Sequence, residues 1–189
     1  PKILMKAFEE VRPNMDSFVT QIVDYFMEKG HRTIGFIGGP DRNIDTGLPS
    51  MDIREWSFRQ SASYYNCLNE DYILISDKFT VEEGYRLGKE LLTKETIPTS
   101  LCVASDTLAV GVLQALNEAG VQVPEQVAVF SINDVNIAKY LSPPLTTIHI
   151  DIPIICETAL DLLRNRVLSG GKITKSIFVN GTPVFRKSC

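Results

Sequence analysis

The sequence predicts an α/β fold: one mostly parallel sheet covered by helices on both faces. Three observations carry this. Four short apolar runs, 33–37 (TIGFI), 72–75 (YILI), 101–104 (LCVA) and 127–132 (VAVFSI), alternate with helix-like stretches. The runs read as buried strands, and right-handed crossovers between them put all four in one sheet. Each run ends in residues that burial does not explain: Gly38-Gly39, Ser76-Asp77, Ser105-Asp106 and Asn133-Asp134. In a parallel sheet all those ends share one edge, where ligands of such folds bind.

The elements follow in chain order. Residues 1–15 contain little that resembles a strand. Asn14 or Asp16 caps a helix to Lys29, with Phe18, Ile22 and Phe26 on one face and Gly30 as its stop. After the first strand, Gly38-Gly39-Pro40 breaks the chain and 41–51 reads as a polar loop. A helix is expected over 52–68, carrying Arg54, Trp56, Phe58 and Arg59, with Trp56 packed in the core. Thr80-Val81-Glu82-Glu83 is a capping-box pattern that opens a helix to about Thr93. Leu108, Val112, Ala115, Leu116 and Ala119 line one face of the next helix, which stops at Gly120. A short helix reaches Tyr140, a strand covers 145–150, and Pro153 sits in the first turn of a helix through Leu168. Ser169-Gly170-Gly171 ends that helix, and 175–179 and 183–185 are short strand candidates.

Composition bounds the function. The 189 residues suffice for one good-sized domain or two small lobes, with 44% hydrophobic and 22% charged residues. A formal charge of −4 argues against phosphate-backbone binding by these residues themselves. No apolar run reaches membrane-spanning length and no secretory signal opens the sequence, so a cytoplasmic protein without a membrane partner is expected. Cys67, Cys102, Cys156 and Cys189 are widely spaced, with no CxxC, and read as reduced packing cysteines.

No cofactor or metal is expected. Gly38-Gly39 lacks the spacing of a dinucleotide fingerprint. His31 and His149 have no motif partners and read as satisfied polar or core histidines. Ser105 lacks a base and reads as a helix N-cap rather than a nucleophile. The strand-end edge is instead a place for a small polyhydroxylated ligand: Arg54 offers a planar fork of donors and Phe79 an aromatic face.

Several segments, in order, resemble LacI/GalR-family transcription regulators. Gly30 through Gly39 (GHRTIGFIGG) resembles the family's "GHRxIxFIxG". Arg54-Glu55-Trp56-Ser57-Phe58 resembles "RxxGF", with Ser57 in place of Gly. Phe79 through Tyr85 resembles "FxxxxGY", and Pro98-Thr99 through Ser105-Asp106 and Gly111 resembles the "PTA…ND" segment with Ser105 for Asn. Asn133-Asp134 stands at a "DD" position, and Pro143-Pro144-Leu145-Thr146-Thr147 matches "PPLTT". Within the family, galactose-operon repressors of lactic-acid bacteria are the nearest likeness.

The resemblance implies a two-lobe, periplasmic-binding-protein-like fold with three crossovers, the N-terminal lobe incomplete in this chain. It assigns 1–29 to part of that lobe, 30–150 to the C-terminal lobe, 151–178 to a return into the N-terminal lobe, and 179–189 to a final strand and tail. It implies a sugar effector, galactose or a related saccharide, held at Arg54, Phe79, Ser105, Asn133 and Asp134. It also implies a homodimer formed through helix faces near 108–116 and 136–140, and operator DNA read by an N-terminal helix-turn-helix absent from this sequence. No catalysis is implied. A periplasmic sugar-binding protein of a transporter is the alternative with the same architecture. A sugar-processing enzyme would need paired carboxylates, and none stand out.

Overall fold

The computed structural model describes residues 9–42, 49–169 and 174–189. Asn14 accepts a bond from the Ser17 amide (3.4 Å) and starts α1 (Met15–Glu28), which buries Phe18, Val19, Ile22, Val23 and Phe26. Gly30, at φ +89°, takes the left-handed position just past the helix end. The four expected strands form, each within one residue of its expected start: β2 (Ile34–Gly38), β5 (Ile73–Ile75), β6 (Ser100–Val103) and β7 (Ala128–Asn133). With β8 (Thr146–His149) and β10 (Thr182–Val184) they make a six-stranded sheet in the order β10-β8-β7-β6-β2-β5. Every pairing is parallel except β10 with β8.

Successive strand residues point to opposite faces, so the sheet has two cores. On one face Phe36, Cys102 and Phe130 pack against α1 and α2 (Ile53–Tyr64) through Phe18, Phe26 and Phe58. On the other, Ile37, Leu101, Val103 and Val129 pack against α3 (Val81–Leu91) and α4 (Asp106–Glu118). These two helices touch backbone to backbone. A Cβ on Gly84 would collide with the Leu108 carbonyl, and one on Gly111 with the Val81 carbonyl.

A second, smaller unit consists of β1 (Glu10–Pro13), β9 (Ser176–Val179) and α5 (Ile152–Ser169). The two strands pair in parallel, from Glu10 opposite Ser176 to Pro13 opposite Val179, and α5 packs on β1. The chain passes between the two units at three places: before α1, between β8 and α5, and between β9 and β10. Two of these crossings touch, with Asn14 donating to the Asn180 side chain at 2.9 Å. Among the described residues of α5 only Leu162 is buried, while Leu160, Leu163, Val167 and Leu168 are exposed.

Several expectations need correction. A strand forms at 10–13, where none was apparent. It is short and polar and is held by a partner more than 160 residues away, which leaves no apolar alternation to read. α1 was assigned with 1–29 to the smaller unit, but its apolar face completes the core of the six-stranded sheet. The polar loop 41–51 contains a minimal antiparallel pair, β3 (Asp41–Arg42) with β4 (Pro49–Ser50); residues 43–48 lie outside the described ones. α2 stops at Tyr64 rather than 68, because Asn66 turns to φ +55° and the Asn66 and Cys67 amides bond back to Ser63 and Ala62. Trp56 is not core: it is 47% exposed, since Phe58 and Ala62 fill the inner face of α2. Ala119 is exposed beyond the end of α4; the short helix expected up to Tyr140 forms as a 3-10 helix over Asn136–Tyr140. The expected end of α5 at Gly170-Gly171 lies outside the described residues. Thr80 caps α3 through the Glu83 amide (3.3 Å), but the Glu83 carboxylate pairs with Arg86.

Candidate ligand-binding edge

Asp52 stands in extended backbone at the start of α2 and accepts the Arg54 amide at 2.8 Å. The same carboxylate clamps the Arg54 side chain, Oδ1 from Nε at 2.8 Å and Oδ2 from Nη2 at 2.7 Å. Arg54 Nη1 donates to the Ala104 carbonyl at 2.8 Å, at the end of β6. The guanidinium lies 4.6 Å from the centre of the Phe79 ring, within cation–π reach. Phe79 in turn covers Gly39, where a Cβ would press on its ring. Ser76, buried beneath, donates to carbonyls of Gly38 and Lys78 and so is structural.

The other half of the edge is the corner where β7 ends. Ser105 is buried and caps α4 through the Leu108 amide (3.3 Å), as its sequence pattern suggests. Next to it, Asp106 is fully buried and bonds Ser131 Oγ, Thr147 Oγ1 (2.7 Å) and the Val135 amide (2.8 Å). Burial pushes the Asp106 carboxyl above its ordinary pKa, against the pull of those three bonds. The corner they hold is strained: Asn133 sits at φ +120° and Asp134 at φ +53°. The Asp134 amide donates to Thr147 Oγ1. Its carboxylate is taken on both oxygens, by Arg186 Nη2 at 2.6 Å and by His149 Nδ1 at 3.1 Å. Arg186 also donates to the Leu145 carbonyl at 2.8 Å. The Asn133 side-chain amide, half-buried at the edge, has no hydrogen-bond partner among the described residues.

The structure therefore brings Arg54, Phe79 and Ser105 into one continuous group, with Asn133 and Asp134 tied to it through Asp106. Both charged side chains of the group, Arg54 and Asp134, already have counter-charges within the chain. Sequence reasoning passed over Asp52, Asp106 and Arg186. Asp52 carried a readable signal, an N-cap residue two positions before an arginine. Arg186 carried none, being 52 positions from its partner. Both histidines are hydrogen-bonded, His31 to Thr99 and His149 to Asp134, and burial lowers the His31 pKa. All four cysteines are free thiols. Among the described residues no group of three or more His, Cys, Asp or Glu is placed to hold a metal. Cavity volume does not single out this edge. A groove of about 510 Å³ lies between α1 and α2 beside Tyr64 and Tyr65, and one of about 370 Å³ lies beside Pro143, Pro144 and Lys187. The edge is distinguished by its convergent donors, acceptors and aromatic ring.

A strand-end edge of this kind, in a chain that crosses three times between two units, is matched by one family model over residues 23–189, the periplasmic binding protein-like domain. The chain belongs to that family. The likeness to LacI/GalR regulators holds as well. The chain is 42% identical over 183 residues to the HTH-type transcriptional regulator GanR of Bacillus subtilis (strain 168), covering 96% of this chain and 56% of that protein. Two solved structures share the fold: a lac repressor dimer bound to operator and the anti-inducer ONPF (TM-score 0.84, 21% identity, 97% of this chain and 62% of that one), and a complex of the transcriptional regulator CelR with cellobiose (TM-score 0.84, 23% identity, 97% and 55%). The chain spans about half the length of the curated relatives it matches. None of the helices among the described residues is long and apolar enough to cross a membrane.

Proposed function

We propose that this chain is the effector-binding and dimerisation core of a LacI/GalR-type transcriptional repressor that is cytoplasmic and not an enzyme. The observation that carries the reading is the Arg54 fork stacked on Phe79 at the strand ends, level with Ser105 and the unpartnered Asn133 amide. A planar donor fork, an aromatic face and a neutral amide suit a mono- or disaccharide. Arg54, Phe79, Ser105 and Asn133 touch the sugar, while Asp134 shapes the corner. The smaller unit is part of the second lobe, and the exposed apolar side of α5 is where the rest of that lobe packs. The lobes divide near residues 14, 150 and 180. Effector binding shifts the population between two lobe arrangements, moving a DNA-reading domain outside these residues. Dimerisation uses Val135, Ile137 and Tyr140, which are exposed, together with the outer side of α4. The inner side, Leu108, Val112 and Leu116, is committed to the core. The regulator names of the relatives support this reading over a transporter component.

The test is calorimetric titration with a panel of neutral mono- and disaccharides, including D-galactose and cellobiose, on wild-type protein and Arg54→Ala. Binding that weakens at least about tenfold in the variant supports the reading. A silent panel, or equal binding by both proteins, removes it.

A further inference from the structure

We propose that Asp52 is a positioning and specificity residue. It locks the Arg54 fork and cancels its charge, so that the edge selects an uncharged vicinal diol over an anionic sugar. The inference rests on the saccharide reading above and goes beyond it, since nothing in the resemblance or the relatives' names assigns Asp52 a role.

The geometry is specific. Both Asp52 oxygens are engaged by Arg54, with three contacts of 2.7 to 2.8 Å, in a pair whose side chains are 8% and 14% exposed. A bidentate, poorly solvated pair of this kind holds the guanidinium plane as well as its charge. Of the five guanidinium N–H groups, Asp52 takes two and the Ala104 carbonyl a third among the described residues, which leaves one N–H on each terminal nitrogen. One donor on each of two neighbouring nitrogens suits two neighbouring hydroxyl oxygens. They would match a carboxylate or phosphate equally well, and better if Arg54 kept its full charge. Asp52 removes that advantage. The same device recurs across the edge, where Arg186 and His149 satisfy Asp134, so neither charged side chain there needs a counter-ion from the ligand.

A merely structural role is the competing explanation, because Asp52 also caps α2. Asp52→Asn separates the two. Asparagine caps a helix about as well as aspartate, yet it cannot neutralise the arginine. Asp52→Ser, a second cap-preserving change, guards against a packing artefact in either variant. The experiment titrates wild type, Asp52→Asn and Asp52→Ser with D-galactose and with D-galacturonate, and records thermal unfolding midpoints alongside. The expected result is unchanged midpoints within a few degrees, D-galactose affinity lowered by about tenfold, and D-galacturonate affinity raised relative to D-galactose by at least about tenfold in both variants. Wild-type binding of D-galactose with no change of that ratio in the variants overturns this inference alone. Wild-type protein that binds neither sugar overturns this inference, and the saccharide reading falls with it when the wider panel above is silent too. Wild-type protein that prefers D-galacturonate overturns the charge argument while leaving a sugar site in place.

Discussion

The two halves of the strand-end edge satisfy their charges by opposite routes. Arg54 is held by Asp52, two residues away at the start of the same helix. Asp134 is held by Arg186, 52 residues away and past the last strand, and by His149 at the end of β8. A local pair moves as one body with its helix and makes a rigid recognition element. A remote pair ties three segments together, one of which, at His149, leads directly into a crossing between the units. The Arg54 half is therefore suited to reading a ligand, and the Asp134 half to fixing where the chain leaves the sheet. Change at the first should alter binding as well as stability. Change at the second should cost stability first.

The largest effect is expected beneath the second half. Asp106→Ala orphans two hydroxyls and the Val135 amide in a buried site and should destabilise the protein by about 3 kcal/mol, read from urea unfolding. A loss below about 1 kcal/mol would mean that the corner does not depend on this carboxylate. Arg186→Ala removes a charge-assisted bond to Asp134 and one to the Leu145 carbonyl. In this partly exposed setting about 1–2 kcal/mol is expected. Arg54→Ala should weaken saccharide binding by about tenfold or more and also cost about 1–3 kcal/mol, because it leaves the nearly buried Asp52 carboxylate without its partner. Saccharide binding that falls as much in Arg186→Ala as in Arg54→Ala would break the comparison.

Smaller effects sharpen it. Burial raises the Asp106 pKa, so the folded protein holds this proton more tightly than the unfolded chain does. That contribution is complete below the ordinary aspartate pKa of about 3.9 and fades as pH rises through the folded-state value. The stability difference between wild type and Asp106→Asn should accordingly shrink with rising pH across this window. A difference that grows with pH would reverse the sign assigned to burial. Last, Trp56→Ala should change stability by less than about 0.5 kcal/mol, because the indole is half exposed on the outer face of α2.

Much of the six-stranded unit was legible because its signals are local. Apolar runs ending in Gly38-Gly39, Ser105-Asp106 and Asn133-Asp134 specify strand and edge together, and Asn14, Thr80, Gly30 and Gly120 mark helix ends by their own chemistry. What escaped notice depends on distant partners. β1 is a strand only because β9 lies beside it, and the Asp134–Arg186 pair joins positions no pattern connects. Trp56 misled for a different reason: large aromatics are usually core, but Phe58, two positions on, already fills that face. The candidate residues Ser105, Asn133 and Asp134 were legible as strand-end polar groups. Which charges along the edge are already paired was not, since that depends on partners such as Arg186 far along the chain.

A saccharide held at the edge bearing Arg54, Phe79, Ser105 and Asn133 is best located by backbone amide NMR during titration with D-galactose or cellobiose, which maps binding as well as detecting it. Saturable shifts are expected to concentrate at Gly39, Arg54, Phe79, Ser105 and Asn133. Saturable shifts concentrated instead in the α1–α2 groove beside Tyr64 and Tyr65 would contradict this placement.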